Sequence, residues 1–389
     1  MSWSTGILLP MAGFNCTGKK CTAISAAIDA QALHSTNRFR ISLRRAQISS
    51  SSAPHPPNHA AVVTACPRTE LVAVADAYED KAETARARYD AGRAYTDFEE
   101  MLDQEKPDLV SIATPTSLHC SMALAAIEQG IHVLCEKSFA MNTGEARKMV
   151  DAATRARVVA MVDFEFRYLS ARTYLADLLH QNYVGKIRMV EFTRHFGWRS
   201  KPDDVGWDWW SDREAGGGLL GALGSHATDS LGMWMGQPRR LFCDLTTFVK
   251  EREGKPVTSD DAYVMIAEFK SEARAIVHMS AVAGVEESQI GIYGSDGQLV
   301  LPGYRCDQIS GGKRSDRKVR DLEIPARYQL TKEPGHFLRS PFRVLTNSLV
   351  NAIDRNLPSP SPNFEDGLAS QLVLDAARLS SDEKRWVEL

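Results

Sequence analysis

From residue 70 onward the chain alternates short apolar runs with stretches of helical charge spacing. ELVAVAD (70–76) reads as a buried strand ending in an acid, and YEDKAETARARYDAG (78–92) as a helix stopped by glycine. DLVSIATP (108–115) is a second buried strand, cut off by Pro115, and SLHCSMALAAIEQG (117–130) a helix with Ser117 as N-cap and Gly130 just past its end. IHVLCE (131–136) and VVAMVDF (158–164) are further strands on either side of a helix, NTGEARKMVDAATRA (142–156). Strands apolar on both faces and alternating with helices predict a parallel, doubly wound sheet. Ligands bind such a sheet at the carboxyl ends of its strands, where Asp76, Thr114 with Pro115, and Glu136 with Lys137 fall.

The pattern changes after about residue 165. IRMVEFTRHF (187–196), RLFCDLTTFVK (240–250), AYVMIAEFK (262–270), RAIVHMSAV (274–282) and SQIGIYGSDGQLVL (288–301) follow one another with turn residues between them. Several alternate apolar and polar, as in an antiparallel sheet with one wet face, and GSDG marks a turn. GLASQLVLDAARLS (367–380) predicts a closing helix. The expected class is α/β: a doubly wound parallel sheet followed by an α/β region built on a large, open, mostly antiparallel sheet. The expected boundaries are an N-terminal extension over 1–37, a dinucleotide-binding domain over 38–160 and a substrate and oligomerisation domain over 161–389.

Composition narrows this picture. A formal net charge of −3 over 389 residues gives no reason to expect nucleic acid or an anionic membrane as partner, and no apolar run is long enough to span a bilayer. The 7 cysteines are scattered and lack CxxC spacing, which speaks against a disulfide framework or a zinc site. Residues 1–69 hold a single acid, Asp29, against seven Lys and Arg residues. That Ser-rich segment has the composition of an organelle transit peptide, but a weakly ordered extension on a cytoplasmic protein is the expectation. GFNCTGKK (13–20) nearly spells a phosphate-binding loop; Lys20 stands where a hydroxyl belongs, and the match is read as chance.

Four groups could carry chemistry. Asp76 could accept hydrogen bonds from ribose hydroxyls and would repel a 2′-phosphate, favouring NAD over NADP; it could equally cap the next helix. Lys137 could exchange a proton with a substrate oxygen, or simply pair with Glu136 at the surface. In EAGGGLLGALGSHATDSLG (214–232), three glycines precede a helix carrying His226 and Asp229 on one face. His226 could polarise an alcohol oxygen or be a buried structural histidine; a metal held by His226 and Asp229 lacks a third ligand and is not expected. GWRSKPDDVGWDWWSD (197–212) holds four of the seven tryptophans, Trp198, Trp207, Trp209 and Trp210, whose faces suit sugar C–H groups or merely pack under a loop. Arg167, His195 and Arg199 are further candidates for lining the site.

VAVAD, IATPTSLH, LCEKS, GGGLLGALGSH and EDGLASQLVLDAARLSS, in this order and spacing, resemble the glucose–fructose oxidoreductase / inositol dehydrogenase / rhizopine-catabolism family over residues 70–389. The resemblance implies a Rossmann domain followed by an open-sheet domain. It also implies hydride transfer between NAD or NADP and a hydroxyl-bearing carbon of a sugar, polyol or cyclic diol, in a homo-oligomer built through the open sheet. Carried over, Lys137 is the catalytic lysine, His226 the helix histidine, and Asp76, Thr114, Pro115, His119 and Glu136 lie on the cofactor side. Arg167, Trp209 and Asp229 lie on the substrate side.

Three departures stand out. Ser138 replaces the proline that follows the lysine, so no proline enforces a bend there. Ala222 replaces the acid one turn before the histidine, leaving Lys137 and His226 to act alone. FRISL (39–43) falls where the first strand belongs, but no glycine occurs between Gly18 and Gly92, whereas the family has a glycine-rich phosphate loop. Arg44, Arg45, Ser49, Ser50 and three prolines stand there instead. The expected function is an NAD(P)-dependent dehydrogenase; the alternative is a ligand-binding or regulatory relative without turnover, which the family also includes.

Overall fold

The chain is described by a computed structural model covering residues 59–331 and 335–389, with residues 39–45 by their backbone. The near phosphate loop at 13–20, the acid-poor segment up to Asn58 apart from that strand, and Ser49, Ser50 and the prolines lie outside the described residues. Among the described residues no helix is long and apolar enough to cross a membrane.

Six parallel strands form the first sheet: β1 (Phe39–Arg45), β2 (Thr69–Ala75), β3 (Arg93–Tyr95), β4 (Leu109–Ala113), β5 (His132–Cys135) and β6 (Ala160–Val162). Their spatial order is 3-2-1-4-5-6, the dinucleotide-binding order, so FRISL is indeed the central first strand. Strands and helices alternate through α1 (His59–Ala65), α2 (Glu79–Tyr89), α3 (Phe98–Glu105), α4 (His119–Glu128) and α5 (Thr143–Ala156). The alternation follows from strands such as β2, buried at all but one position, which need cover on both faces. Short β3 and α3 carry too weak a pattern to be expected from the sequence. Ser117 is not an N-cap: residues 116–118 form a 3₁₀ turn, and α4 begins after it.

A nine-stranded sheet follows, from β7 (Ile187–His195) and β8 (Pro238–Thr246) through β11 (Ala262–Phe269), β12 (Arg274–Ser280), β13 (Glu287–Gly294), β14 (Gly297–Pro302), β15 (Ser310–Lys313) and β16 (Arg320–Asp321) to β17 (Val387–Glu388). A small ribbon, β9 (Glu251–Arg252) with β10 (Lys255–Pro256), interrupts the order. Only the β7–β12 pairing is parallel; the rest are antiparallel. One face is buried by α6 (Ser170–His180), α7 (Ser225–Met235) and α9 (Phe364–Glu383), while strands such as β12 alternate exposed and buried residues. The chain then returns: α8 (Arg339–Asp354) sets Phe342, Leu345 and Leu349 against Leu71 and Val74 of the first sheet, so a late segment covers the early one.

Candidate active site

Lys137 follows β5 at the carboxyl edge of the parallel sheet, half-buried, and its peptide to Ser138 is cis. No proline stands at this turn. Two features hold it. Glu136 accepts the Lys137 main-chain N–H on Oε2 at 3.1 Å. The fully buried His119 ring sits with Nδ1 2.9 Å from the Ser138 carbonyl and Nε2 2.9 Å from the Thr114 carbonyl, tying this turn to the end of β4. Both nitrogens of His119 thus face main chain. Beside it the Thr114 hydroxyl is buried with no hydrogen-bond partner, an orphaned polar group at the ligand edge that a bound polar molecule would satisfy. Asp76, at the end of β2, is buried and accepts the Tyr78 N–H at 3.0 Å, so it does brace the start of α2.

The glycine-rich stretch brings a second element onto this turn. One π-helical turn, Leu220–Gly224, leads directly into α7; such turns often mark functional sites. Gly221 is needed here, because a Cβ would lie 2.9 Å from Ser138 Oγ. Asp260 pins the same turn by accepting the Leu220 N–H at 2.7 Å. The close approach sets His226 of α7 against the Lys137 segment. His226 stacks on Phe166 at a centroid distance of 4.0 Å, with interplanar angle 8°. Burial, with the positive charges of Lys137, Arg172 and Arg194, pushes its pKa well below 6.5, so the ring is neutral.

A carboxyl group absent from the sequence reading meets that ring: Glu165 Oε2 lies 3.9 Å from His226 Nε2. Burial, then the charges of Asp163 and Glu136, lifts Glu165 well above the usual carboxylate range, which favours the protonated form. This acid comes from the segment after β6 and not from the histidine's own helix, where Ala222 stands. Only its position in DFEFR, just past a strand end, could have pointed to it.

His59 and Asp163 were also missed. His59, the first residue of α1, is within 3.0 Å of Glu136 Oε1 and 3.3 Å of Asp163 Oδ2 through Nε2, while Nδ1 lies 2.6 Å from Ser111 Oγ. All are buried, directly behind Lys137.

The chain matches the family model described as "Oxidoreductase family, NAD-binding Rossmann fold" over residues 54–164, and the GFO/IDH/MocA C-terminal domain over residues 173–300. It belongs to the GFO/IDH/MocA oxidoreductase family. This family comprises NAD(P)-dependent sugar and polyol oxidoreductases. Levoglucosan dehydrogenase of Pseudarthrobacter phenanthrenivorans is 26% identical over 81% of this chain and 88% of its own. Myo-inositol 2-dehydrogenase of Thermotoga maritima is 24% identical over 82% of this chain and 91% of its own. A solved levoglucosan dehydrogenase, in complex with NADH and levoglucosan, shares the fold with a TM-score of 0.82 at 24% identity, over 90% of this chain and 99% of that one.

For this GFO/IDH/MocA member, several site candidates are engaged with neighbouring protein groups. Arg167 and Asp229 face each other: Arg167 Nε donates to Asp229 Oδ2 at 2.8 Å, its terminal nitrogen also bonds Asp229, and Asp366 lies 3.2 Å away. His195 lies on the open face of the nine-stranded sheet, where its alternation with buried Arg194 puts it, next to His278 at 3.4 Å. Arg199 is buried against Asp208 at 3.0 Å and stacks on Trp210 at 4.3 Å, so it braces the tryptophan loop. Trp198 packs on buried Trp210 at 5.0 Å, Trp207 Nε1 donates to the Pro256 carbonyl at 3.0 Å, and half-buried Trp209 rests on the core. Five of the cysteines lie among the described residues, all buried and free.

Proposed function

We propose that this protein is an NAD(P)-dependent dehydrogenase acting on a hydroxyl-bearing carbon of a sugar, polyol or cyclic diol. The observation that carries the reading is the convergence of Lys137, His226 and Glu165, from three separate elements, at the carboxyl edge of a dinucleotide-binding sheet. The orphaned Thr114 hydroxyl and buried Asp76 fit a cofactor at that edge, with Pro115 beside them. When bound, the nicotinamide accepts or returns the hydride. Lys137 takes the proton from the substrate hydroxyl and gives it back in the reverse direction. Neutral His226 hydrogen-bonds the same oxygen, its ring orientation set by the stack on Phe166. Glu165, neutral beside it, can donate a hydrogen bond where an ionised acid could only accept. Asp76 favours NAD, since an acid there repels a 2′-phosphate.

The substrate side is assigned to Trp209 and the ion-paired Arg167 and Asp229, which act by shaping the cleft. Titrating the full-length protein with NADH and NADPH, following tryptophan emission, should give saturable quenching with NADH the tighter ligand. No quenching up to millimolar cofactor would remove the dehydrogenase and leave the ligand-binding relative. We assign a homo-oligomer to the open sheet face, where Val264 and Ile276 are exposed side chains on neighbouring strands. Light scattering should then give a mass at least twice that of the chain, reverting to the monomer in Ile276→Lys.

A further inference from the structure

Three buried titratable groups stand behind the catalytic lysine without a part in the chemistry above. His59 comes from α1, Glu136 from the end of β5 and Asp163 from the end of β6, and one oxygen or nitrogen from each lies within 4.8 Å of the others. Two carboxylates this close need positive charge to be buried together. The only ring nitrogen between them is Nε2 of His59, 3.0 Å from one and 3.3 Å from the other. On its far side Nδ1 meets Ser111 Oγ of β4 at 2.6 Å, and Phe342 of α8 covers the ring at 4.3 Å. Every polar direction of the imidazole is therefore filled by a group that can accept a hydrogen bond, which favours the doubly protonated form. Glu136 in turn joins His59 on Oε1 to the Lys137 main-chain N–H on Oε2.

We propose that His59 is a positioning residue: as a buried imidazolium it keeps Glu136 ionised and fixed beneath the Lys137 turn, so that the lysine is presented to substrate in one geometry. This rests on the dehydrogenase reading for its kinetic consequence, though not for the charge state itself. The groups facing the network are few. Among the described residues Lys137, His119 and Glu165 face Glu136, Lys137 and Glu165 face Asp163, and the buried Cys135 thiol faces both carboxylates. Burial alone would lower the His59 pKa, but the hydrogen bonds and charges of Asp163 and Glu136 carry it up to about 9. Burial would raise Glu136, and the His59 hydrogen bond with the Lys137 and His59 charges holds it at about 2. Burial and the Glu136 charge lift Asp163 to about 6. The sign for stability follows. His59, raised from 6.5 to about 9, contributes stability that is complete below pH 6.5 and lost as pH rises through about 9.

Two variants move the kinetics in opposite directions. In His59→Gln the buried Glu136 loses its cation, so the acid limb of kcat/KM should move up by about one pH unit or more. Its kcat should fall roughly tenfold to a hundredfold, the effect of misplacing a reacting group, with KM little changed. In Asp163→Asn the carboxylate that competes with Glu136 for His59 Nε2 is gone, so the acid limb should stay or move down. Carbon-13 NMR of the histidine rings in the full-length protein should show His59 protonated at pH 7.5, titrating at lower pH in Asp163→Asn. The melting temperature of the wild type should drop more steeply between pH 7.5 and 9.5 than that of His59→Gln. A neutral His59 at pH 7.5, one tightly held divalent cation per chain by elemental analysis, or limbs that shift the same way in both variants would overturn the proposal. The NMR and melting measurements need no turnover, so an intact imidazolium in a protein inactive on all polyols would sink the dehydrogenase and spare the charge network.

Discussion

Replacing Lys137 with alanine is expected to lower polyol turnover by roughly 10²–10⁴-fold, the usual contribution of a positioned proton-transfer group, while NADH binding persists. The neighbouring groups explain why no other residue takes over. His226 is held neutral well below its ordinary pKa by burial and by three nearby cations, so it is a poor proton acceptor at neutral pH. Glu165 is lifted well above the usual carboxylate range, and in the protonated form this favours it cannot accept the hydroxyl proton either. Lys137, half-buried at the end of β5, is the base we propose. Lys137→Met, closer in length, should be as inactive as Lys137→Ala, because a thioether cannot take the proton. The pair is measured by steady-state NADH formation at saturating polyol, alongside tryptophan quenching for cofactor binding. More than a tenth of wild-type turnover in either variant would remove Lys137 as the base. A wild type without turnover that binds a sugar equally well with and without Lys137 would favour the regulatory relative.

The second large effect concerns stability. Arg167→Ala is expected to cost about 3–5 kcal/mol, the range for removing one partner of a buried ion pair. Arg167 holds Asp229 of α7 in a forked pair, reaches Asp366 at 3.2 Å and donates to Ser361 Oγ at 2.5 Å, so it links the segment after β6 to two helices. Burial pushes the Asp229 carboxyl up and the guanidinium pulls it back; without Arg167 only the charge of Arg172 is left to offset the burial. Arg167→Lys should recover little of the loss, since an ammonium cannot fork across both oxygens. Adding Asp229→Asn to Arg167→Ala should restore part of it, because the stranded charge is then gone. Urea unfolding midpoints at pH 7.5 read all three. A loss below about 1 kcal/mol for Arg167→Ala would class the pair with weak surface bridges and return Arg167 and Asp229 to direct substrate contact.

Much of the sheet was legible because its strands are short apolar runs with one period and sharp ends. ELVAVAD, DLVSIATP and IHVLCE each became a strand within a residue or two of the reading. Short β3 and α3 were not, since the three residues of β3 cannot establish a period and the eight of α3 span little more than two helical turns. Lys137 and His226 were visible through their motif neighbours. Glu165, Asp163 and His59 were not, since each is a single polar residue at the end or start of an element, with no spacing to mark it. That Arg167 and Asp229 pair with each other was not legible either, because a sequence lists charges without their partners.

By itself the sequence determined the class of the fold and the edge where chemistry gathers, since both follow from local periodicity and from where apolar runs stop. Which polar groups meet at that edge was decided only by tertiary structure. Glu165 lies 61 positions from His226, and His59 is 77 from Glu136. Pairings over such separations depend on strand order and on the close approach that Gly221 permits, and it is the burial produced by that packing, absent in any local stretch of chain, that fixes which of these groups carry charge.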